Sequence, residues 1–221
     1  MDLILIANII ACLGALGGFI FGAIKFFRPK KSIYALMITL FCGVTVFTRL
    51  YQIIRVIVIG ELVDRVNLGV IGFIGSLLFL FTANFGVMDK IGDDGAKSLR
   101  KYRLIPLAMP AAVLAAYLVF FFFTDLTTLI KVVAGSIAFF VCLSSYYNLK
   151  HLILPDVKNG IIDCMRQYNL FALIYEILCI IELITMTRGL AIGTIIICSL
   201  MGIVSPLTII SVARGVKKWK A

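Results

Sequence analysis

Long apolar segments recur along the whole of this chain, and they constrain its fold more than any other feature. Each reaches the roughly 20 residues that a helix needs to cross about 30 Å of hydrocarbon. They lie at residues 3–27, 32–60, 67–88, 104–123, 127–149, 164–187 and 190–213. Because lipid offers the backbone no hydrogen-bond partners, each segment is expected to be helical. The sequence therefore predicts an all-α integral membrane protein, a seven-transmembrane helix bundle in which residues 1–221 form a single membrane domain.

Composition argues against the soluble classes. The chain is 62% hydrophobic and 14% charged, whereas soluble domains carry about a quarter charged residues. A net charge of +10 would suggest nucleic acid in a soluble protein. Here the basic residues gather between the apolar segments, a pattern typical of membrane topology and of contact with anionic headgroups. The expected partner is therefore the lipid bilayer and not a nucleic acid.

The distribution of basic residues predicts the orientation. Sixteen of the 21 Lys and Arg residues lie in residues 25–31, 89–103, 150–166 and 214–220. These segments fall on one side of a seven-helix chain, and the positive-inside rule assigns that side to the cytoplasm. We therefore expect an external N-terminus, a cytoplasmic C-terminus and a location in the plasma membrane.

Ionisable residues inside the predicted helices are the most informative feature for function. Arg49 and Arg55 lie in the second helix, Glu176 and Glu182 in the sixth, and Lys131 in the fifth. Such groups cost about 2.5–3.5 kcal/mol each to insert, so they normally face the interior of a bundle. The arginines and the glutamates share a spacing of six residues on helices that run in the same direction. The sequence therefore predicts two ion pairs, Arg49 with Glu176 and Arg55 with Glu182.

Two interpretations of these charges stay open. They are either buried ion pairs that lock the helices together, or the lining of an outward-facing pocket between the second, fifth and sixth helices. Three cations against two carboxylates favour an anionic or zwitterionic ligand. The predicted ligand-binding residues are Arg49, Gln52, Arg55, Lys131, Tyr175, Glu176 and Glu182.

The first functional hypothesis is a membrane receptor or sensor that binds a small polar ligand in this pocket and signals to a cytoplasmic or membrane protein partner. The alternative is a small secondary transporter, coupled to protons through Glu176. A shift of 127 residues places the first three helices on the last three and Arg49 on Glu176, as in transporters with parallel repeats. An accessory subunit and an intramembrane enzyme acting on lipid are further alternatives. We expect no enzyme activity, since neither a catalytic motif nor a cofactor motif occurs.

Three further features carry predictions of their own. Gly14, Gly18 and Gly22 recur every four residues, which favours close helix packing within the chain over a dimer interface. His151, the only histidine, is expected at the surface. Asp89, Asp93 and Asp94 are interpreted as a solvated turn beside the headgroups. They are not a predicted metal site, because Arg100 takes the place of the glutamate that ends an EF-hand loop.

Overall fold

The computed structural model describes residues 3–27, 33–60, 68–155 and 160–220. Within these residues seven long apolar spans confirm the predicted fold class, and each is long enough to cross a membrane. The main helices of these spans are α1 (Leu3–Phe26), α2 (Ile33–Ile59), α3 (Leu68–Asn84), α4 (Ala108–Phe122), α5 (Thr128–Ile153), α6 (Ile161–Thr187) and α7 (Ala191–Lys220). Of the cations in the basic segments, Arg28, Lys30, Lys31 and Lys158 lie outside the described residues.

Short helical turns connect α3 to α4. A two-turn helix, Val87–Gly92, continues the third span, and the fourth span begins at Lys97 and runs through turns of 3-10 and α-helix into α4. The residues between the two spans carry Asp93, Asp94 and Gly95. We call the side of the bundle that holds these residues the basic side. The opposite side, where α1 begins, is the N-terminal side.

The helices form a ring of six. α1 packs on α2, and α2 packs on α3. α3 packs on α5, α5 on α6, α6 on α7, and α7 packs on α1, which closes the ring. The remaining helix, α4, packs on the outside of this ring against α5. Only 17% of the fourth span is buried, against 56% of the second. Polar side chains within the ring are therefore shielded from lipid, whereas α4 presents most of its apolar surface outward.

A proline and a line of glycines set the closest approach between helices. A Cβ atom on Gly14 would overlap the carbonyl group of Gly202 in α7, and one on Gly18 would meet Pro206 at 3.1 Å. Because proline has no N–H, Pro206 leaves the carbonyl of Gly202 without its usual helical donor. α7 nevertheless runs through Pro206 as one helix. The glycine line therefore packs within the chain, as the sequence favoured.

Candidate functional site

Arg49 is the centre of a buried polar cluster in the N-terminal half of the bundle. Its guanidinium binds both carboxylate oxygens of Glu182, at 2.5 and 2.7 Å. It also donates to the side-chain oxygens of Asn8 at 3.1 Å and Gln52 at 3.2 Å. The Cys198 thiol donates to Glu182 at 3.3 Å. We call these five residues the Arg49 cluster. It joins α1, α2, α6 and α7, and both charged groups are almost completely shielded from solvent.

The predicted ion pair between Arg49 and Glu176 is therefore wrong, because Arg49 binds Glu182. The glutamates are six residues apart, about 9 Å along a helix. Counted from the observed helix starts, Arg49 lies 16 residues into α2 and Glu176 lies 15 residues into α6, so the helix boundaries do not explain the choice of Glu182. The prediction neglected the offset between the two helices and the length of the arginine side chain. The predicted pairing of Arg55 with Glu182 fails for the same reason, since both oxygens of Glu182 face Arg49.

The other predicted ligand-binding residues do not gather around one pocket. Gln52 contributes to the Arg49 cluster, and Arg55 is buried on the same helix. Tyr175 is buried with its ring edge-to-face against Phe41, 4.9 Å between centroids. Lys131 lies 4.9 Å from the ring of Phe121 and therefore faces the α4 side of α5.

A cleft does lie between α4, α5 and α6, but its walls are apolar. Its lining residues are Ala116, Tyr117, Phe120, Ala138, Ile180, Leu183 and Ile184. None of the seven predicted ligand-binding residues lines it. The helix face that carries Lys131 is covered by α4, because a Cβ atom on Gly135 would lie 2.7 Å from the Tyr117 hydroxyl.

Glu176 belongs to a second polar cluster, on the basic side of the Arg49 cluster. It is completely buried, and its Oε1 accepts a hydrogen bond of 2.6 Å from Asn148 on α5. Its Oε2 has no hydrogen-bond partner among the described residues. Glu182 is held at both oxygens by a cation, whereas Glu176 is held at one oxygen by a neutral amide.

A chain of hydrogen bonds continues from Glu176 toward the basic side. Asn84 of α3 donates to the side-chain oxygens of Asn148 at 2.5 Å and Asn169 at 2.8 Å. The Oδ1 atom of Asn84 lies 3.1 Å from Nδ1 of His151. We call His151, Asn84, Asn148 and Glu176 the amide chain. It runs from His151 on α5 to Asn84 on α3, returns to Asn148 on α5 and ends at Glu176 on α6. All four residues are buried.

His151 is therefore not the surface residue that the sequence predicted. It is fully buried, and its Nε2 lies 3.2 Å from Oδ1 of Asp89. The prediction placed the end of the fifth helix at residue 149, whereas α5 continues to Ile153. His151 consequently lies on a helix face that turns inward, one turn beyond Asn148. Asp89 is 26% exposed at its side chain and connects the amide chain to the surface.

The aspartates of the basic side are only partly solvated. Asp93 accepts from Arg103 Nε at 2.7 Å and from Lys150 Nζ at 2.9 Å, and Lys150 also binds Asp89 at 2.6 Å. We call Asp93, Arg103 and Lys150 the Asp93 clasp. Burial alone would raise the pKa of the Asp93 carboxyl, but hydrogen bonds from Arg103, Lys150 and the backbone N–H of Gly95 hold that pKa well below its usual value. The clasp fixes the turn between the third and fourth spans to α5.

Sequence reasoning missed Asn8 and Asn148. A signal was present, since both are amides inside long apolar segments, where an unsatisfied polar group is costly. Asn84, a third such amide, bonds to both α5 and α6. No protein-family model, curated protein or solved structure matches this chain.

Proposed function

We propose that this chain is a small secondary transporter that moves a polar solute together with, or in exchange for, protons bound at Glu176. The observation that carries the proposal is the contrast between the two buried glutamates. Glu182 is bound at both oxygens by Arg49. Glu176 is equally buried, yet a neutral amide holds one oxygen and the other has no partner among the described residues. Ionisable residues at such positions commonly serve as ion or proton sites.

The helix arrangement supports the same proposal. When α1 and α2 are shifted by 127 residues they occupy 130–153 and 160–186, close to the observed α5 (Thr128–Ile153) and α6 (Ile161–Thr187). The ring of α1–α3 and α5–α7 with α4 outside is compatible with two parallel repeats and a separate linking helix. In this view Arg49 and Glu176 are corresponding positions of the two halves.

The charge pattern supports a location in the plasma membrane with the basic side in the cytoplasm. The amide chain would then connect Glu176 to Asp89 on the cytoplasmic side.

Transport is tested with the purified full-length protein in lipid vesicles that contain a pH-sensitive dye. Amino acids and small organic anions are added as probes under imposed pH gradients. The wild type is expected to move protons when one of these probes is added, and Glu176→Gln is expected to abolish that movement. Asp163→Asn is the matched control, because it changes an exposed carboxylate on the same helix. Absence of solute-dependent proton movement in the wild type, or equal movement in Glu176→Gln, would refute the proposal.

A receptor is the second candidate, and the Arg49 cluster is the observation that favours it. One guanidinium joins α2 to α1 and α6, so an anionic ligand that took the place of Glu182 would loosen contacts among several helices. Such a ligand would raise the unfolding temperature of the wild type but not that of Arg49→Lys, whose point charge cannot reproduce the bidentate geometry. A ligand that stabilised both proteins equally would contradict a receptor site at Arg49.

A further inference from the structure

The hydrogen bonds of the amide chain all point the same way. Asn148 donates to Glu176, and Asn84 donates to Asn148. The amide N–H groups of Asn84 are directed at Asn148 and Asn169, so its oxygen faces His151 and needs a donor there. Nδ1 of His151 must therefore carry a proton. The amide chain delivers an N–H group to Oε1 of Glu176, which accepts it whether Glu176 is ionised or protonated at Oε2.

The other ring nitrogen of His151 fixes the protonation of the basic end. Nε2 faces Oδ1 of Asp89 at 3.2 Å, and the same oxygen accepts from Lys150 at 2.6 Å. Asp89 is therefore an acceptor, and Nε2 must donate to it. A histidine that donates from both nitrogens is the protonated imidazolium. His151 and Asp89 together thus hold one proton more than a neutral imidazole beside a carboxylate.

We propose that His151 and Asp89 form a second proton-binding site, and that loss of its proton requires a proton on Glu176, through the orientation of Asn84 and Asn148. The inference rests on the proposed function, since it takes Glu176 as the proton-binding carboxylate. It adds where the exchange with the basic side occurs and how the two sites communicate.

Loss of the proton from His151 and Asp89 reverses the direction of the hydrogen bonds in the amide chain. Neutral His151 keeps its remaining proton on Nε2, where Asp89 accepts it, and Nδ1 becomes an acceptor. Asn84 must then turn its N–H group toward His151, and Asn148 must turn its oxygen toward Glu176. An oxygen that faces Glu176 requires a donor, so Glu176 must be protonated. One proton leaves the pair and an ionised Glu176 gains one, while the amides turn without gaining or losing any.

The surroundings permit this reversal. Nδ2 of Asn169 has no hydrogen-bond partner among the described residues, so this amide can follow Asn84 when it turns. The Ser144 hydroxyl, 3.3 Å from Asn148 Nδ2, can accept or donate.

Other charged and titratable groups surround His151. Lys150 and Tyr147 lie on its own helix, Asp89 on the helix Val87–Gly92, and Asp93 in the following turn, where Arg103 binds it. Lys150 is shared between Asp89 and Asp93, and Arg103 binds Asp93. Asp89 is the carboxylate in contact with His151.

The test uses the full-length protein in lipid vesicles and reads both sites. Infrared difference spectra report the carbonyl band of protonated Glu176, which is assigned by its loss in Glu176→Gln. Nitrogen-15 labelling of histidine reports His151 alone, because the chain has one histidine. In the wild type the neutral fraction of His151 is expected never to exceed the protonated fraction of Glu176 at any pH, because neutral His151 requires a proton on Glu176.

Two substitutions distinguish coupling through the amide chain from a direct electrostatic effect of His151 on Glu176. His151→Phe is expected to extend the Glu176 band to higher pH by about one unit, a tenfold change in proton affinity. In an Asn84→Leu background, where the hydrogen bonds of the amide chain are interrupted, His151→Phe is expected to leave the pH dependence of the Glu176 band unchanged. If Asn84→Leu does not fold, Asn148→Ala replaces it. An equal shift in both backgrounds, no shift in either, or a wild-type neutral fraction of His151 that exceeds the protonated fraction of Glu176 would overturn the inference.

Failure of the inference differs from failure of the proposed function. Suppose that Glu176→Gln abolishes solute-dependent proton movement, but His151→Phe shifts the Glu176 band equally with and without Asn84→Leu. Glu176 is then the proton site, and only its link to His151 is wrong. If wild-type Glu176 never shows a carbonyl band and its substitution leaves proton movement unchanged, both fail.

Discussion

The guanidinium of Arg49 donates hydrogen bonds to both carboxylate oxygens of Glu182 in the interior of the bundle, where both side chains are almost completely shielded from solvent. The pair links α2 to α6, two helices on different sides of the ring. Desolvation offsets much of the attraction in such a pair, so its presence by itself contributes little net stability. Removal of one partner has a large effect, because the other is left as an uncompensated buried charge.

The first prediction follows from this asymmetry. Glu182→Met and Arg49→Met are each expected to lower the free energy of unfolding by about 3–5 kcal/mol. The double substitution removes both charges and is expected to recover most of that loss. Denaturant unfolding in mild detergent micelles measures the three variants.

The exposed pair of Arg166 and Asp163, 3.0 Å apart, supplies the control. Asp163→Asn is expected to change stability by less than about 1 kcal/mol. A double variant as unstable as the sum of the single ones would contradict the account of Arg49 and Glu182 as a coupled pair.

The helices were predictable because their physics is local. A run of about 20 apolar residues fixes a span regardless of its neighbours, and the predicted first helix, 3–27, matches α1 (Leu3–Phe26) almost residue for residue. The predicted ends of α5 and α7 both fall short, at 149 against Ile153 and at 213 against Lys220. α5 continues through the polar residues Lys150 and His151. Those residues are polar in sequence but buried against Asp89 and Asn84, so a pattern based on hydropathy stops too early.

The pairing of side chains was not predictable in the same way. The sequence indicated that Arg49 needed a carboxylate, but the choice between Glu176 and Glu182 depends on the relative height of two helices that do not follow each other in the chain. Lys131 was assigned to the interior because ionisable residues normally face the inside of a bundle. The structure places its face of α5 against the bulky Tyr117 of α4 instead, a contact that the sequence does not encode locally.

A second prediction concerns the contact between α1 and α7. Gly14→Ala is expected to destabilise the protein by about 1–3 kcal/mol, since its Cβ atom would overlap the backbone of Gly202 and push the helices apart. Gly17→Ala is the matched control, because no atom lies within 4 Å of the added Cβ and alanine favours a helix. Thermal unfolding of the two variants in the same detergent gives the comparison. Equal stability of the two would show that the helices are free to separate at this point.

The Asp93 clasp predicts a stability that depends on pH. The folded-state pKa of Asp93 lies below its unfolded value, which is about 3.9. Its stabilising contribution is therefore present above about pH 4 and is lost as the pH falls from there toward the folded-state pKa. Asp93→Asn is expected to cost about 1–3 kcal/mol at neutral pH, where hydrogen bonds to a charged group are lost, and less at acid pH.

Unfolding curves of wild type and Asp93→Asn between neutral and acid pH test whether the stability difference decreases with falling pH. The difference between the two proteins should shrink as the pH falls. Asp163→Asn, whose carboxylate is half exposed, should show little difference at any pH. A gap between Asp93→Asn and the wild type that widened toward acid pH would contradict the clasp.

The last prediction fixes the direction in which the amide chain faces. Ser98 is exposed on the basic side, and Asp125 is exposed between α4 and α5 on the N-terminal side. In a variant without the six native cysteines, Asp125→Cys is expected to react with a membrane-impermeant maleimide on intact cells. Ser98→Cys is expected to react only after the membrane is opened, because the basic segments favour the cytoplasm. The opposite labelling pattern would place Asp89 and His151 outside, so the proton on that pair would equilibrate with the exterior and the direction of proton coupling would be inverted.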